Sequence, residues 1–225
     1  MDRSRVAVII PAFNEAETIG QVVISAADHG IPIVVNDGST DSTGAIARRA
    51  GAVVVESGFN LGYDAALNSG FSEAYRLGFD IMITLDADAQ HDPVLLDHFI
   101  RALKSGAKVV VGHRNRKGRW SEEIFGCYTK RQYGIIDPLC GLKGYRREVY
   151  EAIGFFDSYK SVGTELMLRS LASGIQVKQI PFTVNERLDS PRFGSIFSAN
   201  IRVLRALLVW ILTYSSTLPR RHLKR

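Results

Sequence analysis

Short apolar runs alternate with segments whose apolar residues recur every three or four positions, and that alternation sets the fold before any motif is considered. Runs at 5–10, 31–36, 52–57, 81–86 and 108–112 are rich in Val and Ile and nearly continuous in hydrophobicity, as strands buried on both faces require. Between them, 15–27, 42–50, 64–77 and 93–104 carry helical spacing. Strand, helix, strand in this order predicts an α/β fold: an open, mostly parallel twisted sheet flanked by helices. The rhythm breaks after Gly112. Residues 113–133 are polar and basic with interleaved aromatics (Trp120, Phe125, Tyr128, Tyr133), which predicts a long loop or a loop with a short helix. Helices at 146–153 and 163–172, a strand at 176–184 and a last helix at 195–218 complete the reading.

At 225 residues the chain is long enough for one such domain. Residues 1–190 form the expected domain, with 1–112 as a ligand-binding half and 113–190 as an acceptor-binding half, followed by a basic amphipathic helix and tail at 191–225. The net charge of +5 sits at that end: residues 190–225 hold seven Lys or Arg and no acid, which leaves −2 for residues 1–189. A basic end on a nearly neutral body indicates an anionic surface or ligand rather than nucleic acid. Cys127 and Cys140 suit neither a metal nor a disulfide framework and read as packing residues. With no signal peptide pattern at Met1, the expected location is the cytoplasm.

Polar residues follow three of the predicted strands: Pro11-Ala12-Phe13-Asn14-Glu15, Asn36-Asp37-Gly38-Ser39 and Asp86-Ala87-Asp88. In open α/β sheets ligands bind beyond the carboxyl ends of the strands, so the three groups gather along one rim. Asp37 suits a nucleobase N–H and Glu15 a ribose hydroxyl. The Asp86/Asp88 pair offers hard oxygen ligands for Mg²⁺ or Mn²⁺ bridging phosphates. Neither a G-x-G-x-x-G after the first strand, nor a P-loop, nor an H-E-x-x-H occurs, which argues against dinucleotide oxidoreductases, P-loop phosphotransferases and zinc hydrolases. A nucleotidyltransferase would carry a Gly-rich basic loop where Pro11–Glu15 stands.

Taken in order, Val8-Ile9-Ile10-Pro11-Ala12-Phe13-Asn14-Glu15, Val35-Asn36-Asp37-Gly38-Ser39-Thr40-Asp41, Asn60-Leu61-Gly62 and Leu85-Asp86-Ala87-Asp88-Ala89-Gln90-His91-Asp92-Pro93 resemble the signatures of family 2 glycosyltransferases with the GT-A fold, over about residues 5–190. Gln90-His91-Asp92-Pro93 resembles the polyprenyl-phosphate sugar synthases of that family, and Asn36 stands where many members have Asp. The resemblance implies an inverting, metal-dependent transfer of a sugar from a UDP- or GDP-linked donor. The acceptor is then polyprenyl phosphate, or alternatively a sugar hydroxyl of a surface glycan. A sugar-nucleotide-binding module without turnover is the alternative of another class. Pro11, Phe13, Glu15, Asp37, Asp86, Ala87 and Arg192 would contact the donor; Asp86, Asp88 and Gln90 would hold the metal. Asp88 would act in catalysis. A hydroxyl acceptor needs a general base, for which Glu165 and then Asp137 are the candidates, whereas a phosphate acceptor needs cations, for which Arg114 and Arg131 are placed. Val203–Leu212, flanked by arginines and too short to span a bilayer, predicts a helix lying on the membrane's cytoplasmic face, or packed on the domain or on a second copy.

Overall fold

The computed structural model describes residues 5–88, 94–115, 118–183 and 196–214. Seven strands form one sheet: β1 (Val6–Ala12), β2 (Ile31–Asp37), β3 (Val53–Ser57), β4 (Ile81–Thr84), β5 (Val109–Arg114), β6 (Lys143–Arg146) and β7 (Val177–Phe182). Their order is β3-β2-β1-β4-β6-β5-β7, with β6 alone antiparallel to its neighbours. The central strands are buried on both faces, as their unbroken Val and Ile content demands. The helices are α1 (Ile19–Ala27), α2 (Thr43–Arg49), α3 (Tyr63–Arg76), α4 (Val94–Lys104), α5 (Trp120–Tyr133), α6 (Arg147–Ile153), α7 (Glu165–Ala172) and α8 (Ile196–Tyr214).

Because β1, β2 and β4 are adjacent and parallel, their carboxyl ends share one rim, and the three polar segments meet there. Strand order reverses on either side of the first strand: β2 pairs with one edge of β1 and β4 with the other. This is the switch point at which α/β sheets bind ligands.

Some expectations change. The stretch read as a long loop or a loop with a short helix holds a 14-residue helix, α5, whose buried Phe125, Gly126 and Thr129 pack inward although its polar content hides the spacing. The strand β6 was not expected at all; it is four residues long and carries Lys, Gly and Arg. Cys127, read as a packing residue, lies exposed on α5.

Helix α8 runs beside α5, joined by Ser121 Oγ donating to Asn200 Oδ1 at 2.6 Å and Trp210 Nε1 donating to the Tyr133 hydroxyl at 3.2 Å. Val203, Ala206, Leu207 and Trp210 are buried beneath it, while Phe197, Ile201, Leu208 and Leu212 are exposed. The ten-residue segment 203–212 alone is too short for a span, yet Phe197–Tyr214 is long and apolar enough to cross a bilayer by length and composition.

Candidate active site

The loop after β1 is stitched to the loop after β2. Asn14 takes a left-handed φ of 55°. This conformation lets its Oδ1 accept from Thr40 N at 2.9 Å while its own N–H donates to Ser39 Oγ at 2.9 Å. Glu15 N donates to Thr43 Oγ1 at 2.8 Å, and the Glu15 carboxylate accepts from the Thr18 hydroxyl at 3.2 Å. Pro11 is half-buried in this frame and Phe13 projects outward, exposed.

Asp37 is buried and accepts from Leu61 N and Gly62 N, both at 2.8 Å. Its neighbour Gly38 has φ +71°, and a Cβ there would strike the Phe59–Asn60 backbone. The pair therefore clamps the segment that enters α3. Each carboxylate oxygen has a second lone pair for a further donor.

Asp86 follows β4 by two residues and is half-buried, as is Asp88; Ala87 between them is buried. The Tyr63 hydroxyl donates to Asp86 Oδ1 at 3.3 Å, and burial, then the Asp86 charge, pushes the Tyr63 phenol well above its ordinary range. Gly141 lies so close that a Cβ would fill the space of the Asp86 carboxylate. That approach is fixed by Thr84, whose hydroxyl donates to Gly141 O at 2.5 Å and accepts from Lys143 N at 3.0 Å. Beneath sits Lys143, fully buried, with Nζ donating to Cys140 O at 2.5 Å. Burial lowers its basicity, against which Cys140, Asp137 and Asp86 act.

The candidate bases are placed differently. Glu165 opens α7 fully buried. Its carboxylate accepts from Ser158 N at 2.5 Å, Ser158 Oγ at 2.9 Å and Arg169 Nε at 2.7 Å. Asp137 is also buried and takes both Nε and Nη2 of Arg114, at 2.7 and 2.9 Å. Burial alone would raise the Asp137 carboxyl, but the Arg114 bonds and charge hold it below the usual carboxylate range. Arg114 Nη2 also reaches Glu122 Oε2 at 3.0 Å, and Glu122 receives Arg119 at 2.9 Å. Both acids are thus committed to arginine. Arg131 is exposed nine residues beyond Glu122 on α5, roughly 13 Å farther along by the helical rise, so it does not join Arg114 at the rim. Gln90 and Arg192 lie outside the described residues.

Asp86 and Asp88 fit a divalent cation by ligand type, partial exposure and the room left by Gly141. Among the described residues no group of three or more His, Cys, Asp or Glu could hold a metal. Sequence reasoning missed Lys143 as a member of this site: a lone lysine beside glycines gives no signal of burial.

Residues 7–154, more than half of the chain, match glycosyl transferase family 2. The chain belongs to that family. This family 2 glycosyltransferase is 30% identical over 210 residues to the polyprenol monophosphomannose synthase of Mycolicibacterium smegmatis, a match that covers 81% of this chain and 78% of that protein. It is 27% identical over 235 residues to the dolichol-phosphate mannosyltransferase of Pyrococcus furiosus, covering 92% of this chain and 64% of the longer relative. In fold it resembles the crystal structure of Mycobacterium tuberculosis glucosyl-3-phosphoglycerate synthase in complex with Mn²⁺, UDP-glucose and phosphoglyceric acid. The TM-score is 0.75 at 22% identity, over 92% of this chain and 79% of that one. The architecture is GT-A, and the chain is an enzyme of the glycosyltransferase class.

Proposed function

We propose that this family 2 glycosyltransferase moves a sugar from a nucleoside-diphosphate sugar to a polyprenyl phosphate at the cytoplasmic membrane surface, inverting the anomeric centre. The observation that carries the reading is the Asp86/Asp88 pair at the end of β4, on the rim shared with Asp37 and Glu15. Asp37 takes the base N–H and Glu15 the ribose hydroxyl, with Pro11 and Phe13 against the base and Ala87 beside the diphosphate. Asp86 and Asp88 hold the divalent cation, with the Tyr63 hydroxyl donating to Asp86 Oδ1. When bound, the cation supplies positive charge to the departing diphosphate. Gln90 and Arg192 complete the set that the sequence proposes.

A phosphate acceptor is favoured over a hydroxyl because both acids proposed as base are bonded to arginine: Glu165 to Arg169 and Asp137 to Arg114. Carboxylates engaged by arginine have lone pairs already committed, and an anionic phosphate oxygen needs no base. We therefore read Glu165 and Asp137 as positioning residues. Arg114 Nη1, which takes no part in the bonds to Asp137 and Glu122, is assigned to the acceptor phosphate. The names of the two relatives agree with a lipid-phosphate acceptor.

Membrane contact is assigned to α8. Phe197, Ile201, Leu208 and Leu212 are exposed and fall within an arc of about 60° on an ideal helix, with exposed Arg202 and Arg205 beside them. Such a face suits a lipid interface with anionic headgroups.

Label transfer from UDP- and GDP-sugars to a short polyprenyl phosphate tests the reading, with the matching polyprenol and a sugar alcohol as controls. Label in the polyprenyl-phosphate product alone is expected. Transfer to the hydroxyl acceptors, with none to the phosphate, would overturn it.

A further inference from the structure

Lys143 has no part in the chemistry so far, yet it is the buried cation of the site, only 2% exposed. An ammonium is seldom fully buried unless opposite charge compensates it. Its position follows from the register of β6: Lys143 lies directly opposite Thr84 on β4 and Val111 on β5. Directly opposed residues of an antiparallel pair point to the same face, so Lys143 stands beside Thr84, two residues before Asp86. The bonds of Thr84 to Gly141 O and Lys143 N press Gly141 against the Asp86 carboxylate, and the ammonium is tied to Cys140 O next door. Asp137, then Asp86, act on it electrostatically, and it acts in turn on Asp64. Asp137 is already matched by Arg114. Asp64 is engaged by Gly163 N at 2.6 Å.

We propose that Lys143 is a built-in counter-charge for Asp86. It is a positioning residue that steadies this carboxylate in the empty enzyme and weakens capture of a divalent cation until a diphosphate arrives. The proposal rests on the reading of Asp86 and Asp88 as the metal-binding pair. A cation entering that pair meets two negative charges and, from inside the sheet, one positive charge. The donor's diphosphate supplies the further negative charge that offsets the repulsion, which makes metal and donor binding mutually dependent.

The test is Mn²⁺ binding to the full chain, followed by the electron paramagnetic resonance of free Mn²⁺, first alone and then with UDP or GDP. Lys143→Met and Lys143→Gln remove the charge, and Gln keeps a donor for Cys140 O. Both should bind Mn²⁺ alone about tenfold more tightly than wild type and gain less from nucleotide, while Lys143→Arg should stay within about twofold. Folded neutral variants that bind Mn²⁺ no more tightly than wild type would overturn the counter-charge. Wild-type protein that fails to bind Mn²⁺ even with UDP or GDP would instead strike the metal reading beneath it. A second measurement does not depend on those variants folding. In metal-free buffer Asp86→Asn should lower Tm, because it strips Lys143 of its partner; a raised Tm, the sign of carboxylate repulsion dominating, would overturn the proposal.

Discussion

At the scale of single residues, the site is built from carboxylates that look alike in sequence and are driven apart by their surroundings. Asp137 and Glu165 are spent on arginines, Asp37 on two backbone N–H groups, and Asp86 on a tyrosine hydroxyl. Asp64 is different: burial, then Asp157, pushes its carboxyl up to about 6, against the pull of the Gly163 N–H. That bond anchors a loop that carries Lys160 at φ 60° and Val162 at φ 58°, a costly conformation for a β-branched residue. The folded chain keeps the Asp64 proton over a range where the unfolded chain, with a pKa of about 4, has lost it. Stability is therefore fully present below about pH 4 and is lost as pH rises through about 6. Asp64→Asn keeps an oxygen for Gly163 N and removes this titration. Without metal or nucleotide, its Tm relative to wild type should be higher at about pH 7.5 than at about pH 4.5, by about 3 °C. A difference that does not vary with pH would contradict the assignment. The sequence showed which acids lie near the rim, because strand ends and turn residues are local. It did not show which are neutralised, because Arg114 meets Asp137 across 23 residues and Lys143 meets Thr84 across 59.

At the scale of elements, the parallel half of the sheet was legible because each of its strands is a Val- and Ile-rich run bounded by turn chemistry. β6 was not legible, since Lys143-Gly144-Tyr145-Arg146 has neither alternation nor β-branched content; its pairing with β4 and β5 makes it a strand. α5 was hidden for a related reason: charged residues fill its outer face, and Glu122 lies buried in the arginine network. β6 and its preceding turn matter for chemistry because they bring Gly141 against Asp86. Gly141→Ala should displace that carboxylate and lower metal-dependent turnover by about 100-fold, measured as kcat on purified, folded protein. Unchanged turnover would mean that Asp86 does not need this close approach.

At the scale of the whole molecule, a sheet that collects Asp37, Asp86 and Asp88 on one rim is joined through α5 to a helix with two unlike faces. The inner face of α8 buries Trp210 and Ala206, and the outer face leaves Phe197, Leu208 and Leu212 in contact with solvent. Replacing these three by Ser should leave Tm nearly unchanged, since exposed positions contribute little to stability, while abolishing co-sedimentation with anionic vesicles; undiminished sedimentation would remove α8 from membrane binding. The amphipathic reading was available from the sequence because arginines flank an apolar run. Packing on the domain was the other reading, but that α5 is the partner was not legible, because it depends on buried pairs such as Ser121 with Asn200. The central claim is that a divalent cation held by Asp86 and Asp88 drives departure of the nucleoside diphosphate. Its most direct test is sugar transfer by wild-type and Asp88→Ala protein in Mn²⁺ and in chelator. Transfer by wild type in Mn²⁺ alone, with none by the variant, is predicted; undiminished transfer by Asp88→Ala in metal-free buffer would contradict it.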